Sequence, residues 1–297
     1  MTTTNIFMLL FSLTLFAQTR AFVPLGFPHG RLLGQTTHPN AVTDINTSCV
    51  ITVPERISSD ESGILLDCVI LPQGKYGERL GYGRDAQGLI DLSSAVKADD
   101  PRMAFTYGEF PTHSFDTLVD MALTRLPPES AKGPLHFVDI GSGCGRLVFH
   151  AGLTRGTDDK PWHIHGMEIS EILHREAWRG MEIGLEEELF TKESISCANT
   201  MVLHLGPAEE MKHVFADCKL AFAYSTVWSC SGFSEELGAM VLHSDWSGLL
   251  SKACPKGCVV VTTDRALDPE YGWELLDRID VDNREVMGST GYIQILR

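Results

Sequence analysis

The string FVDIGSGCGRLV at residues 137–148 constrains the fold more than any other stretch: residues suited to a buried strand, glycines at 141, 143 and 145, then the apolar start of a helix. A strand that ends in glycines lets the main chain approach a ligand closely, and the first turn of the next helix offers N–H groups with no partner inside that helix. Such a unit belongs to a parallel α/β sheet and marks a nucleotide-binding turn. Its spacing selects among nucleotides. A dinucleotide fingerprint needs G-x-G-x-x-G/A, because its third small residue lies where helix and strand pack. Here that position is Arg146, and Gly145 comes one residue early.

The next strand strengthens the reading. WHIHGME at residues 162–168 ends in Glu168, 27 residues after Gly141, and a carboxylate at that strand end can accept hydrogen bonds from both hydroxyls of a ribose. Upstream, Tyr107, Gly108 and Glu109 precede a helix whose inner face is marked by Phe115, Leu118, Val119, Ala122 and Leu126.

The pattern D-x-G-x-G-x-G from Asp139 resembles motif I of seven-strand S-adenosylmethionine-dependent methyltransferases. With the Tyr-Gly-Glu run, residues 103–230 are similar to the non-SET histone lysine methyltransferases, the disruptor-of-telomeric-silencing family. The resemblance implies an α/β, Rossmann-like sheet with helices on both faces, closed by an antiparallel pair, and S-adenosyl-L-methionine as cofactor. It places Tyr107, Glu109, Asp139, Gly141, Ser142, Gly143 and Gly145 around that cofactor and Glu168 on its ribose. Two departures stand out. Where the family has an acidic-aromatic pair near adenine, this chain has Pro207 and Ala208, leaving Glu209 as a substitute. Where the family has Asn-Asn-Phe to receive lysine, this chain runs Tyr224, Ser225, Thr226, Val227, Trp228. Tyr224, Ser225 and Trp228 are therefore the expected catalytic, acceptor-side residues: Ser225 to orient an amine or carboxylate, the aromatics to stack on or surround a cationic nitrogen. The implied activity is methyl transfer to a protein side chain, lysine among them, or to a small metabolite. The altered motifs also suit a noncatalytic descendant kept as an interaction or regulatory module.

Charge narrows the partners. The 297 residues carry a formal charge of −15 and no basic block, so phosphate backbones repel the chain and a nucleic-acid partner is not expected. His163 and His165 share a strand face without an apparent third ligand, and no metal site is expected. The body is read as a monomer or weak dimer with no membrane span.

The N-terminus reads as an address. Residues 6–16 are largely apolar and are followed by small residues ending at Ala21, a signal peptide over 1–21 that is too short to span a bilayer. Ala21, Phe22, Val23 and Pro24 resemble the cleavage junction of bipartite plastid presequences in diatoms and related algae, and residues 22–43 hold no acid, as a transit peptide would. The implied location is an algal plastid reached through the endoplasmic reticulum; plain secretion is the alternative. Of the eight cysteines, Cys144 lies in the glycine turn and Cys218, Cys230 and Cys258 flank expected core strands, which fits reduced thiols.

The remaining chain divides simply. Residues 44–100 read as a β-rich segment, with strands at 48–53 and 63–71 forming a hairpin, and residues 101–297 as the methyltransferase domain. Ser234 is a candidate N-cap with Glu235 and Glu236 in the first turn of a helix whose inner face is Leu237, Met240 and Val241. Strands are expected at 258–263, 275–281 and 291–296.

Overall fold

The computed structural model describes residues 49–71, 107–130 and 132–297. The expected leader, the transit-like segment and residues 72–106 lie outside them. The chain enters through strand β1 (Ile51–Val53) and helix α1 (Ser59–Leu65), which widens into a π-helical turn at Leu66–Ile70. The strand expected at 63–71 is therefore helical. Ser58 and Glu61 form a reciprocal capping box that satisfies amides at the start of α1. That local signal decides an apolar run too short to show a period of its own.

Helix α2 (Thr112–Thr124) buries Phe115, Leu118, Val119 and Ala122, while Leu126 falls beyond its end. There follow β2 (Leu135–Ile140), α3 (Arg146–Thr154), β3 (Trp162–Glu168), α4 (Glu171–Glu186) and β4 (Asn199–Leu205). After a 3-10 turn at Ala208–Glu210 come α5 (Lys212–Phe215), β5 (Leu220–Ala223), β6 (Cys230–Ser234) and β7 (Ala239–Leu242). The chain closes with α6 (Ser244–Ala253), β8 (Val259–Thr263), β9 (Arg265–Ala266), β10 (Trp273–Val281) and β11 (Ser289–Leu296).

The main sheet has the order β1-β4-β3-β2-β5-β8-β11-β10. Strands β4, β3, β2, β5 and β8 are parallel, and β11 lies antiparallel between β8 and β10. β1 adds an antiparallel edge to β4 rather than pairing with residues 63–71. Strand order reverses between β2 and β5, and the crevice beyond their carboxyl ends is where such sheets bind ligands. Side chains alternate across each strand. Phe137 and Phe222 join Phe115, Phe149 and Ile164 in a core beneath α1 to α4, whereas Val138, Ala221 and Val260 meet Phe215 and Leu250 beneath α5 and α6. This is the doubly wound α/β architecture read from the glycine turn.

The helix expected to start at Ser234 is instead the β6–β7 hairpin. Ser234 accepts from the Leu237 amide within its turn, and Met240 points out while Val241 is buried, the alternation of a strand. Among the helices, the Ser62 hydroxyl is hydrogen-bonded to His150 Nδ1 at 2.9 Å, and His150 Nε2 donates to Asp116 at 2.9 Å. One buried imidazole thus ties α1 and α2 to α3, the helix that leaves the glycine turn.

Candidate active site

Between β2 and α3 the backbone takes left-handed conformations at Gly141 (φ 76°), Gly143 (φ 55°) and Gly145 (φ 81°), which favours glycine at all three. Space adds a second demand. A Cβ on Gly143 would stand 2.8 Å from the Tyr107 ring, and one on Gly145 2.9 Å from Phe149.

Four amides of this turn are already used. Gly141 and Ser142 N–H both donate to the Met167 carbonyl at 2.8 Å, and Gly145 N–H donates to Ser142 O at 2.8 Å. Gly143 N–H donates to Glu168 Oε2 at 2.8 Å, and Ser170 N–H donates to Oε1 at 2.8 Å. Within the turn itself, therefore, β3 turns a carbonyl and a carboxylate toward the amides of Gly141, Ser142 and Gly143.

Acidic side chains gather around the turn. Asp139 and Glu168 are buried, and burial first, then the charge of Glu168, pushes the Asp139 carboxyl up to about 8. Burial also raises Glu168, against the amides of Ser170, Gly143 and Ile169 that favour its charged form. The Cys144 thiol in the turn is pushed up to about 12, mainly by burial, with a hydrogen bond to Tyr107 opposing and the charges of Glu109, Glu176 and Glu168 adding to it. Tyr107 donates to Glu109 Oε1 at 2.8 Å, and the Arg146 guanidinium pairs with Asp67 and with Glu109 at 3.7 Å. The Tyr107–Glu109 segment thus folds over the turn. The Glu109 amide donates to Glu285 Oε1 at 2.9 Å.

On the acceptor side, the sequence-derived residues separate. Trp228 lies against the turn, its Cζ2 atom 3.7 Å from where a Cβ on Gly141 would be, and stacks on Trp246 with ring centroids 4.0 Å apart and planes at 24°. Tyr224 packs on Phe110 at 5.1 Å, and its hydroxyl accepts from Asn283 Nδ2 at 3.0 Å. Burial, first among its influences, raises the Tyr224 phenol. Ser225 is 0 % exposed. Its hydroxyl donates to Thr263 O at 2.9 Å and accepts from Thr263 N–H at 3.1 Å, so it ties β5 to β8 instead of facing the crevice. Glu209 is exposed in the 3-10 turn beyond β4.

Sequence reasoning missed Trp246, Asn283 and Glu285. Trp246 sits in the first turn of α6, a stretch beyond the residues read as the Ser234 helix, and the 282–288 connection carries no motif. Among the described residues no group of three or more His, Cys, Asp or Glu side chains is disposed to hold a metal ion, and no helix is long and apolar enough to cross a membrane.

No protein-family model matches the chain, and no curated protein is similar to it. Solved structures similar to it include Aeropyrum pernix fibrillarin with natively bound S-adenosyl-L-methionine, at 12% identity and TM-score 0.37, covering 60% of this chain and 74% of that one. Magnesium protoporphyrin IX methyltransferase from Synechocystis PCC 6803 with bound cofactor shares 12% identity at TM-score 0.39, covering 72% and 97%. An RNA methyltransferase from Salinibacter ruber with S-adenosyl-L-homocysteine shares 16% identity at TM-score 0.36, covering 64% and 94%.

Proposed function

We propose that the chain is an S-adenosylmethionine-dependent methyltransferase acting on a protein side chain or a small metabolite. The observation that carries the reading is the character of the turn: three left-handed glycines whose amides are consumed by Met167, Ser142 and Glu168, set among Asp139, Glu168 and Glu109. A phosphate-cradling loop needs free N–H groups and positive charge. This one offers bare main chain and carboxylates, which suits a ligand that is cationic and carries a ribose. When bound, S-adenosylmethionine supplies a methyl group on a sulfonium that leaves readily.

The chain's own residues then bind, orient and exclude water. Glu168 keeps lone pairs for ribose hydroxyls while bracing the turn. Glu109 supplies negative charge toward a cationic ligand, Asp139 gives up its proton as such a ligand binds, and the Tyr107 ring covers Gly143. Trp228 presents an apolar edge beside Gly141 where an acceptor must align. Orientation and dryness meet the main demands of such an in-line displacement, so a strong general base is not required.

Calorimetry with S-adenosylmethionine and S-adenosylhomocysteine tests the cofactor: binding that Gly141→Arg abolishes and Glu168→Ala weakens is the expected outcome, and indifference to both ligands sinks the proposal. Transfer of labelled methyl into an algal extract, fractionated into protein, metabolite and RNA, tests the acceptor. The net charge of −15 leads us to expect label in protein or metabolite; label in RNA overturns that part. Because Ser225 is committed to Thr263, a noncatalytic module is the second reading, and binding without transfer to any fraction would favour it. We further propose the plastid address, which a fluorescent fusion of residues 1–43 tests; reporter in the medium would overturn it.

A further inference from the structure

Asn283 lies in the connection between β10 and β11 and is 2 % exposed, yet its side chain reaches out of that hairpin. Its Nδ2 donates to the Tyr224 hydroxyl at 3.0 Å and to the Ser289 hydroxyl at 2.9 Å, while its Oδ1 accepts from the Glu285 amide at 3.1 Å. A main-chain N–H can only donate, so the Glu285 amide fixes which end of the side chain is oxygen and turns both N–H groups toward the two hydroxyls. The same connection reaches the other wall of the crevice. Glu285 Oε1 accepts from the Glu109 amide, and a Cβ on Gly108 would stand 2.6 Å from Glu285 Oε2 and 3.0 Å from Tyr224 Cε1. The Ser114 hydroxyl, at the start of α2, donates to the Asp282 carbonyl. Joining two antiparallel strands needs only a turn. A buried amide spent on the phenol of a third strand calls for a further reason.

We propose that Asn283 is a positioning residue for methyl transfer, which by donating to the Tyr224 hydroxyl fixes that phenol on the acceptor side of the crevice. The proposal rests on the methyltransferase reading above. Tyr224 follows directly on β5, at the carboxyl end where the crevice opens, and the Phe110 ring at 5.1 Å limits how its own ring can turn. Asn283 limits the remaining freedom by holding the phenol oxygen. An in-line displacement depends on alignment, so a phenol free to swing costs rate while leaving cofactor affinity alone. Asn283→Asp separates this role from that of a mere loop fastener. It keeps the shape and the oxygen that faces the Glu285 amide, but it presents an oxygen to Tyr224, whose proton must then turn toward residue 283. The groups that face the phenol are named by what they do to it: burial and the charges of Glu285 and Asp264 raise its ionisation, and hydrogen bonds from Asn283 and Thr226 lower it.

The test compares the full chain with Asn283→Asp, Tyr224→Phe and the double variant. Calorimetry with S-adenosylhomocysteine should give one affinity for all four, within about twofold. At saturating S-adenosylmethionine, transfer of labelled methyl into the protein and metabolite fractions of an algal extract should fall about tenfold in each single variant. It should fall no further in the double variant, because a residue that acts only through Tyr224 has nothing left to act through. Carbon-13 at the tyrosine Cζ supplies a readout without turnover: the Tyr224 resonance, identified by its loss in Tyr224→Phe, should titrate about one pH unit higher in Asn283→Asp. If that variant fails to fold, Asn283→Ser takes its place, since its shorter hydroxyl can still accept from the Glu285 amide without reaching Tyr224. An unchanged Tyr224 titration, undiminished transfer in the residue 283 variant, or a double variant about tenfold below either single one would each overturn the proposal and leave the cofactor reading standing. An unaltered chain that binds no cofactor, or binds it and transfers nothing, overturns the methyltransferase reading and this proposal together.

Discussion

The Glu168 carboxylate holds the Gly143 amide at 2.8 Å, so the acid at the end of β3 and the middle glycine of the turn behave as one unit. Removing the acid does more than delete a ribose contact. Glu168→Ala leaves the amides of Gly143 and Ser170 unsatisfied in a buried place, at a cost of about 3 kcal/mol, while Glu168→Gln keeps the shape and one acceptor oxygen. We expect urea unfolding to show the alanine variant clearly less stable than the glutamine variant, and calorimetry to show both weakened for the cofactor. Equal stability of the two would mean that the carboxylate does not brace the turn.

Asp139 gives the fold a pH signature of unusual sign. Its carboxyl is pushed from the ordinary 3.8 up to about 8, so between those values the native state binds the extra proton and stability falls as pH rises, by up to about 1.4 kcal/mol per pH unit. The benefit is fully present below pH 4 and lost as pH passes 8. Histidines in the molecule contribute oppositely. Burial holds His165, His174 and His204 down to about 4, so their contribution is present above about pH 6.5 and lost toward 4. The difference in unfolding free energy between the unaltered chain and Asp139→Asn isolates the acid, and it should change steadily from pH 5 to pH 8. A flat difference would remove the buried proton from the account. A cationic ligand beside Asp139 should also release that proton, visible as a binding heat that depends on the buffer's ionisation enthalpy.

Trp228 and Trp246 make a platform that is spectroscopically addressable. Rings stacked at 4.0 Å couple their transitions, so the near-ultraviolet circular dichroism should contain a couplet that either Trp→Phe change removes. Such a pair contributes about 1 kcal/mol beyond its buried area. If the platform orients the acceptor, Trp246→Phe should lower the transfer rate several-fold with cofactor affinity unchanged. Loss of cofactor affinity instead would put the stack on the cofactor side.

The parts legible in the sequence were those fixed by short-range chemistry. Asp139 through Gly145 announced a strand, a turn and a helix because positive φ and close approach leave few alternatives to glycine, and the structure supplies both reasons. The closing strands were legible because β10 and β11 carry unbroken apolar or alternating runs. What escaped was decided by competing local signals or by distant pairing. The capping box of Ser58 and Glu61 overrode an apolar run, and Ser234 with its acids mimicked a helix cap that the β6–β7 pairing displaced. Ser225 looked like an acceptor ligand because nothing local shows that Thr263, on another strand, claims its hydroxyl. Trp246 and Asn283 reach the site only through the order in which the strands assemble.

Asp116 and His150 provide the last prediction, and it concerns how the turn is held from behind. Burial alone would raise the Asp116 carboxyl, but the His150 imidazole, the Ser59 hydroxyl and the Arg155 guanidinium outweigh it and hold the pKa at about 2. Stability from this group is therefore present above about pH 4 and lost as pH falls toward 2. The arrangement has the members of a nucleophilic triad, yet Ser62 is 0 % exposed and no substrate can meet it, so its work is to lock α1 and α2 onto α3. Asp116→Asn should cost about 2 kcal/mol at pH 7, with the penalty shrinking as pH is lowered toward 2. Because α3 starts directly after Gly145, His150→Ala should loosen the turn as well, and hydrogen exchange at Gly143 and Gly145 should quicken together with that of α1. Faster exchange in α1 with the turn unchanged would show that the lock stops short of the site.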